Sequence, residues 1–310
     1  MVDVICMGEA MVELSLASEP GGRAAVGFAG DTLNTAIYLK RQAPDLGVAY
    51  ATCLGRDPLS DQMVSMMEAE ALDCSLVARH DTRLPGLYAI STDGAGERSF
   101  YYWRDQSAAR QMLAPGGLRL QDLARGRILY LSAITLAILP ADHRQAFLDW
   151  LPVFRQAGGQ LAFDSNYRPR LWTDPATARA AVETAWRQTD IALPSVDDEM
   201  ALFGDASEVD VLNRLARFGV RSGALKRGAL GPVSLDGSAA GPFPPAPRVV
   251  DSTAAGDSFN AGYLAARLTG APEDQALMAG HQLAARVVGV KGAILPRVEA
   301  VSGPDAEGAA

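Results

Sequence analysis

Ten residues near the carboxyl end of the chain, Asp251–Asn260 (DSTAAGDSFN), have the types and spacing that suit chemistry on an anion. The Ala-Ala-Gly run at positions 254–256 carries almost no side chain, so a substrate can approach the backbone closely. The following segment, Phe259–Leu268, has apolar residues at helical spacing, and the first amides of a helix attract phosphate. Asp257 lies at this positive end, where we expect a carboxylate to stay ionised and to accept a proton from an attacking hydroxyl.

The same decapeptide also fits an ordinary capped helix. Its apolar lead, Arg248–Val250, predicts a short strand before the turn. Asp251, Ser252 and Thr253 are common N-cap residues, and Asp257 in that interpretation serves only the helix dipole. The role of Asp257 therefore depends on the elements that surround it.

Buried strands alternate with helices along most of the chain. Apolar runs predict strands at 2–7, 48–54, 128–131, 160–164, 191–193 and 223–226. Helical patterns fill the gaps at 31–42, 58–70, 141–156, 175–187 and 209–218. This alternation predicts an α/β fold with a doubly wound, mostly parallel sheet and helices on both faces. Ligands of such sheets bind beyond the carboxyl ends of the strands.

Two strand-rich segments, 10–29 and 84–105, interrupt this alternation. Leu87–Thr92 and Arg98–Trp103 read as strands joined by a Gly-rich hairpin turn at 93–96. We therefore expect a small β lid on a body formed by residues 1–9, 30–83 and 106–301. The tail at 302–310 is small and polar, and we expect it to be disordered.

The lid carries polar and aromatic side chains that suit a hydroxylated acid. Strand alternation puts Tyr102 and Arg104 on one face. A guanidinium binds carboxylate and a phenol bonds to hydroxyl groups. An aromatic cross-strand stack beside a surface arginine fits the pattern equally well.

Other candidates lie where strands meet helices. Gly30 permits close approach and Asn34 offers an amide, although that pattern alone fits a capped helix better. Arg168 and Arg170 flank a proline just after the strand at 160–164. Together with the polar residues beside them, they favour a binding loop over a solvated one.

Two further patterns are weaker. The glycines after Lys226 fit either a nucleotide or a simple β-turn. The acids Asp197–Glu199 open a helix, where they serve the dipole or organise Mg2+ through water.

Composition excludes several classes of protein. Net charge is −8, without a basic stripe for nucleic acid. Three cysteines with no CxxC argue against disulfides and zinc sites and favour buried free thiols. There is no secretory signal pattern, and the longest apolar run, 128–139, is shorter than the about 20 residues that span a bilayer. We expect a cytoplasmic protein that does not bind membranes.

Taken in order, these segments resemble the ribokinase/PfkB family of sugar kinases along nearly the whole chain, and within it the kinases of 2-keto-3-deoxygluconate. The matching segments are Gly30–Thr35, Leu84–Tyr88, Gly96–Arg104, Asn166–Trp172, Lys226–Gly228 and Asp251–Phe259. The resemblance implies a ribokinase-like fold, and transfer of the γ-phosphoryl group of ATP, with Mg2+, to the C6 hydroxyl of the sugar acid.

The resemblance also implies roles for single residues. Asp257 matches the catalytic base, and the amides of Ala254, Ala255, Gly256 and Asp257 match an anion hole. Residues that match sugar-acid contacts are Gly30, Asp31, Asn34, Tyr88, Tyr102, Arg104, Arg168 and Asp257. Residues that match the nucleotide side are Lys226, Gly228, Gly231, Ala254, Gly256 and His281.

Three positions depart from the family pattern. Ala254 replaces the first glycine of its carboxyl-terminal signature, a form that also occurs in kinases of this sugar acid. Val196 replaces the asparagine of an Asn-x-x-Glu motif, so the contribution of that asparagine near metal and phosphate must be absent or supplied otherwise. For Glu199 the resemblance implies a contact with Mg2+ through water. His281 stands where an asparagine near the nucleotide is usual.

Other functions also fit the sequence. A kinase of the same fold for fructose, ribose, tagatose or a fructose phosphate is one, and a non-catalytic sugar-acid binding regulator is another. A dehydrogenase is disfavoured because no GxGxxG follows the first strand. Tolerance of the C4 epimer and activation by K+ are not decided, and the aromatic lid favours a homodimer or higher homo-oligomer.

Overall fold

A computed structural model describes residues 2–17, 21–92, 98–237 and 241–297. Its central sheet has six parallel strands in the order β10-β9-β8-β1-β4-β5. These strands are β1 (Val2–Met7), β4 (Val48–Leu54), β5 (Val77–Arg79), β8 (Gly126–Ser132), β9 (Gln160–Asp164) and β10 (Ile191–Leu193). The α/β fold with a parallel sheet is confirmed.

Helices cover both faces of this sheet, because its strands are apolar on both sides. In β1, Ile5 and Met7 join one buried cluster, which includes α4 to α8, while Val4 and Cys6 join another with α1, α2, α9 and α10. The helices are α1 (Asp31–Gln42), α2 (Pro58–Ala69), α3 (Leu120–Leu123), α4 (Ala133–Ile138), α5 (Ala141–Gln156), α6 (Pro175–Trp186), α7 (Val196–Phe203), α8 (Glu208–Arg217), α9 (Ala255–Leu268) and α10 (Glu273–Val287).

A second sheet of four strands, in the order β3-β2-β6-β7, lies within the two segments expected to form the lid. Its strands are β2 (Met11–Ser15), β3 (Ala25–Ala29), β6 (Gly86–Thr92) and β7 (Arg98–Trp103). β2 pairs antiparallel with β3 and parallel with β6, and β6 pairs antiparallel with β7. The predicted hairpin turn at 93–96 and the tail at 302–310 fall outside the described residues.

Two short strands, β11 (Ala224–Leu225) and β12 (Val233–Ser234), form an antiparallel pair beside β10. The predicted strand at 223–226 is therefore present but shorter. The strand predicted at Arg248–Val250 is wrong: that segment is irregular, and Val249 is 71% exposed. Within the described part of the chain its valines pair with no strand, and the amide of Val250 bonds to the carbonyl of Val288 after α10.

The predicted burial of the cysteine thiols is confirmed for two of the three residues. Cys6, Cys53 and Cys74 are free thiols, the first two buried and the third half-buried. The run at 128–139 divides into β8 and α4. In the part of the chain that the structure describes, no helix is long and apolar enough to cross a membrane.

Candidate active site

The site lies where the connections of the central sheet change direction. From β1 the chain winds outward to β4 and β5, then returns to the other side of β1 through β8. The carboxyl ends of β1 and β8 thus form a crevice, the usual position of ligands in such sheets. Ser132 and Asp164, the last residues of β8 and β9, are buried at this edge.

Asp257 lies in the first turn of α9 and faces this crevice. α9 begins at Ala255, four residues earlier than the apolar pattern predicts, so Asp257 is inside the helix. Its side chain is buried, and Asn34 Nδ2 of α1 donates to its Oδ2 at 2.8 Å. The structure thus brings together two residues predicted from separate motifs.

The electrostatics of Asp257 correct one expectation. Burial raises the pKa of Asp257 to about 8, and the negative charges of Asp31 and Asp164 add to this shift. The hydrogen bond from Asn34 and the charge of Lys226 oppose the shift without cancelling it. The helix dipole therefore does not hold this carboxylate ionised well below neutrality, because desolvation and like charges outweigh it. A pKa near the working pH suits proton transfer in both directions.

The turn before α9 leaves three of the four expected amides available. Ala254 caps the helix with φ 61°, the left-handed region that the glycine of the family signature would adopt freely. The amide of Ala255 bonds to the carbonyl of Ser252 at 3.2 Å. Among the described residues, the amides of Ala254, Gly256 and Asp257 have no acceptor. The expected anion hole is therefore narrower, because Ala255 is already engaged.

A buried polar network supports Asp257 from the opposite side. Lys226 Nζ contacts Asp164 Oδ1 at 2.7 Å and Asn260 Oδ1 at 3.0 Å. Asn260 in turn donates to Asp164 Oδ2 at 2.8 Å and to the hydroxyl of Tyr130 at 3.0 Å. Lys226, predicted for the nucleotide side, thus lies beside the first turn of α9, 3.6 Å from where a side chain on Gly256 would begin.

Sequence reasoning did not assign functions to Asn260 and Tyr130. Asn260 lies one helical turn after Asp257 on α9, a spacing that puts the two on one face. That spacing was the available signal, since a fully buried asparagine needs partners. No local pattern marks Tyr130 in the middle of an apolar strand.

The start of α1 closes the crevice on a third side. A side chain on Gly30 would lie 2.2 Å from the carbonyl oxygen of Glu9, so only glycine fits there. Asp31 accepts hydrogen bonds from the hydroxyl of Ser132 and from Asn166 Nδ2, the latter at 2.9 Å. These bonds tie the loop after β9 to α1.

The second sheet faces this crevice with Tyr88 and Tyr102, whose rings stack at 5.7 Å. The hydroxyl of Tyr88 donates to Glu13 on β2. The guanidinium of Arg170, from the loop after β9, lies 6.0 Å from the ring centre of Tyr102. The cross-strand aromatic stack is therefore present, and it contacts the body through that loop.

The two predicted carboxylate-binding arginines differ in their surroundings. Arg104 is buried, and its Nη2 donates to the buried carboxylate of Glu9. The side chain of Arg168 is 52% exposed; its Nη1 donates to the carbonyl of Tyr167 at 2.8 Å and to Asp198 at 3.3 Å. Arg168 therefore presents more of its guanidinium to the crevice.

Comparisons with known proteins agree on one family. Residues 1–300 match the description "pfkB family carbohydrate kinase". The chain belongs to the pfkB family of carbohydrate kinases. It is 44% identical over 303 residues to 2-dehydro-3-deoxygluconokinase of Escherichia coli K12, covering 95% of this chain and 97% of that protein.

Solved structures agree with this assignment. A PfkB protein from Polaromonas sp. JS666 is similar with a TM-score of 0.81 and 29% identity, covering 92% of this chain and 95% of the other. A putative ribokinase II from E. coli in complex with ATP and Mg2+ has a TM-score of 0.79 at 20% identity, with 94% of each chain covered. The chain is thus an ATP-dependent sugar kinase of ribokinase-like fold, and kinases of the pfkB family use ATP with Mg2+.

In this carbohydrate kinase, two of the residues predicted for the nucleotide side meet around one aromatic ring. A side chain on Gly231 would lie 2.5 Å from the ring of Phe243, so the turn and the ring pack tightly. The same ring lies 5.0 Å from His281 on α10, whose Nε2 is 2.6 Å from the carbonyl of Pro244. Gly228 opens a short 3-10 helix in this turn. Phe243 itself was not predicted, since it lies in an irregular Pro-rich segment.

The kinase does not present Glu199 as a metal ligand, which corrects that prediction. Glu199 is fully buried; Trp186 Nε1 and Arg214 Nη2 occupy its two oxygens at 3.2 and 2.9 Å. Its neighbour Asp198 faces the crevice instead. Burial raises the pKa of Asp198, while Arg168 opposes this shift and Asp164 adds to it. Within the described ranges, no three acidic, His or Cys side chains gather to hold a metal ion by themselves.

Proposed function

We propose that this kinase phosphorylates the C6 hydroxyl of 2-keto-3-deoxy-D-gluconate, with ATP as donor, and forms 2-keto-3-deoxy-6-phosphogluconate. The proposal rests on Asp257, a buried carboxyl with a raised pKa, beside two free amides at the start of α9. The E. coli relative bears the name of this activity and shares 44% of its residues with this chain. Sugar-acid catabolism of the Entner–Doudoroff type is the corresponding metabolic setting.

The residues around Asp257 can transfer the phosphoryl group directly from ATP to the sugar. Asp257 accepts the proton of the C6 hydroxyl as that oxygen attacks the γ-phosphorus, while the bond from this phosphorus to the bridging oxygen breaks and ADP leaves. The amides of Gly256 and Asp257 stabilise the charge on the phosphoryl oxygens, helped by the positive end of α9. Lys226, 3.6 Å from where a side chain on Gly256 would begin, adds a positive charge at the same place.

The residues at the crevice also fit a hydrated Mg2+. Such an ion binds mainly to phosphate oxygens and water and needs only about one or two protein carboxylates. Asp198 and Asp164 lie close enough for one to raise the pKa of the other. Asp198 would hold the ion through water, since both oxygens of Asp164 are already paired with Lys226 and Asn260, and bound Mg2+ would neutralise the phosphate charge.

The sugar acid would lie between α1, the loop after β9 and the second sheet. In this proposal Gly30 and Asn34 contact the sugar near the reacting hydroxyl, and Asp31 shares that position. Tyr88 and Tyr102 cover the sugar from the lid. The nucleotide would extend toward Gly228, Gly231 and His281.

An ATP-coupled assay tests the substrate. The panel is 2-keto-3-deoxygluconate, its galactonate-derived epimer, fructose, ribose, tagatose and fructose 6-phosphate. We expect the highest kcat/KM for the keto acid, because its carboxylate pairs with an arginine of the crevice while its C6 hydroxyl is free to react. A higher kcat/KM for fructose, ribose, tagatose or fructose 6-phosphate would overturn the assignment, and activity on the epimer would define the stereochemical tolerance at C4. Repeating the assay with Na+ in place of K+ tests whether K+ activates the enzyme.

Assembly and location form part of the same proposal. Tyr101 and Trp103 on β7 are 53% and 62% exposed on the second sheet. We propose that this aromatic strand pairs two copies into a homodimer in the cytoplasm, where ATP is available. Light scattering measures the molar mass of the wild type and of Trp103→Ser in solution. A monomeric wild type would contradict the dimer.

A further inference from the structure

Arg98, at the start of β7, connects the lid to the phosphate-binding turn by an ion pair. Its Nη1 donates to Asp251 Oδ2 and to the hydroxyl of Thr253, the latter at 3.2 Å. The Arg98 side chain is 14% exposed and that of Asp251 is 4% exposed, so the pair is largely removed from solvent. The guanidinium also lies 5.1 Å from the ring centre of Phe100. This ion pair therefore connects two elements that are separate in the chain.

Asp251 is the centre of the turn that precedes α9. Its Oδ1 accepts from the amide and the hydroxyl of Thr253, at 3.0 and 2.6 Å. Its Oδ2 accepts from the amide of Gly292 at 2.8 Å. The next residue after Thr253 is Ala254, held in the left-handed region. The position of Asp251 thus fixes the backbone on which the free amides of Gly256 and Asp257 depend.

The packing around this turn includes the lid as well. Ile90 and Tyr88 of β6 share one buried cluster with Ala293, and Ala254 packs against it. When the lid moves away, Asp251 loses a charged partner and Ala254 loses apolar contacts at the same time. The bonds from Thr253 and Gly292 would remain, but a largely buried carboxylate without its opposite charge is costly, so the turn would rearrange or take up water.

We propose that Arg98 is a positioning residue that couples closure of the lid over the sugar to the geometry of the phosphate-binding turn. The proposal rests on the sugar-kinase function above. When the lid is closed, Arg98 fixes Asp251, and the amides of Gly256 and Asp257 point at the phosphoryl group. When it is open, the turn is relaxed and ATP is poorly placed for transfer, which also limits attack by water.

Steady-state kinetics of Arg98→Ala, Arg98→Lys and Asp251→Asn test the coupling. Misplaced amides act on the transition state, so we expect kcat of Arg98→Ala to fall at least about tenfold, with KM for the sugar changed less than about threefold. Arg98→Lys should recover part of kcat. The double variant Arg98→Ala/Asp251→Asn should be no slower than Asp251→Asn alone. Arg56→Ala, which breaks an exposed pair with Asp81, is the matched control.

Hydrogen exchange separates this role from simple stabilisation. In wild type, the sugar should slow amide exchange in both the lid strands and residues 251–257. In Arg98→Ala it should slow exchange only in the lid. Unchanged kcat in Arg98→Ala, multiplicative effects in the double variant, or sugar-dependent protection of the turn without Arg98 would each overturn the coupling.

The two proposals fail in different ways. If wild type does not turn over the keto acid, the substrate assignment is wrong, and the best sugar of the panel becomes the probe for Arg98. If Arg98→Ala equals wild type on that sugar, the coupling is wrong whatever the substrate is.

Discussion

Asp257 combines a buried carboxyl, a hydrogen bond from Asn34 and a position at a helix start. Replacement by asparagine keeps its shape and removes its ability to accept the proton. We expect kcat of Asp257→Asn to fall by about 10²- to 10⁴-fold with ATP affinity retained. Coupled-assay kinetics and nucleotide titration measure both quantities.

Asp142→Asn provides the matched control, since Asp142 is an exposed acid in the first turn of α5. Its kcat should equal that of wild type. Near-full kcat in Asp257→Asn would leave Asp257 as a structural partner of Asn34 and remove the proposed base.

The pH profile of kcat reports the same carboxyl. The base works deprotonated, so a raised pKa moves the acidic limb of the profile upward, with kcat falling about tenfold per pH unit below it. Asp31 raises the pKa of Asp257, and Asn34 lowers it. Asp31→Asn should therefore shift the limb to lower pH, and Asn34→Ala should shift it to higher pH. Shifts in the opposite directions, or none, would show that another group titrates.

Arginine variants distinguish substrate binding from structural pairing. Arg168→Ala should raise KM for the keto acid more than tenfold, because a charge-assisted contact is worth about 1.5–3 kcal/mol, and should leave KM for ATP unchanged. Arg104→Ala should instead lower the free energy of unfolding by about 3–5 kcal/mol, because it leaves Glu9 buried and unpaired.

Arg170→Ala completes the comparison, since Arg170 lies against Tyr102 in the same loop. Kinetics and urea denaturation of the three variants measure these effects. If neither Arg104 nor Arg168 affects the preference for the acid over a neutral ketose, the sugar-acid assignment is wrong.

At the scale of elements, the cap of α9 contains a local conflict. Ala254 adopts φ 61°, which costs an L-residue roughly 1–2 kcal/mol, while glycine there costs about 0.5–1 kcal/mol of chain entropy. We expect Ala254→Gly to raise the free energy of unfolding by about 0.5–1 kcal/mol, as the difference between these terms. Urea denaturation measures it.

Ala255→Gly is the neighbouring control, because Ala255 already has helical geometry as the first residue of α9. It should destabilise the protein by about 0.5–1 kcal/mol. Equal effects of the two substitutions would mean that the strain at 254 does not exist in solution.

The second sheet should be the part of the β structure that responds to substrate. Lids that exclude water exchange between open and closed forms. We expect amide exchange in β6 and β7 to slow when the keto acid is added, while β9, buried within the central sheet, barely changes. Equal protection of both with and without substrate would show a static β layer.

At the scale of the whole molecule, the sequence predicts the strands whose positions depend on local runs of apolar residues. The apolar runs predict the first and last residues of β4, β9 and β10 correctly, because both faces of each strand are covered. The valines at 249–250 are apolar too, but among the residues that the structure describes no strand pairs with them, and their local sequence does not encode this.

The same limit applies within the site. Asn34 and Asp257, and Asn260 and Asp164, are pairs distant in the chain, and only the topology of the sheet brings each pair together. Glu199 was misassigned because its partner Arg214 lies on another helix. Residue type and spacing therefore indicate which side chains could have a function. Which partners those side chains have, and therefore which charge they carry, can be learned only from the fold.

The parallel pairing of β2 with β6 has a consequence for synthesis of the chain. Glu13 and Tyr88, which face each other across it, are 75 residues apart. At a synthesis rate of about 5–20 residues per second, roughly 4–15 seconds pass between the emergence of β2 and that of β6 from the ribosome. During that time its open edge is a template for other nascent chains. We therefore expect the free edge of β2 to be a place where nascent chains misassemble when many ribosomes translate the same message.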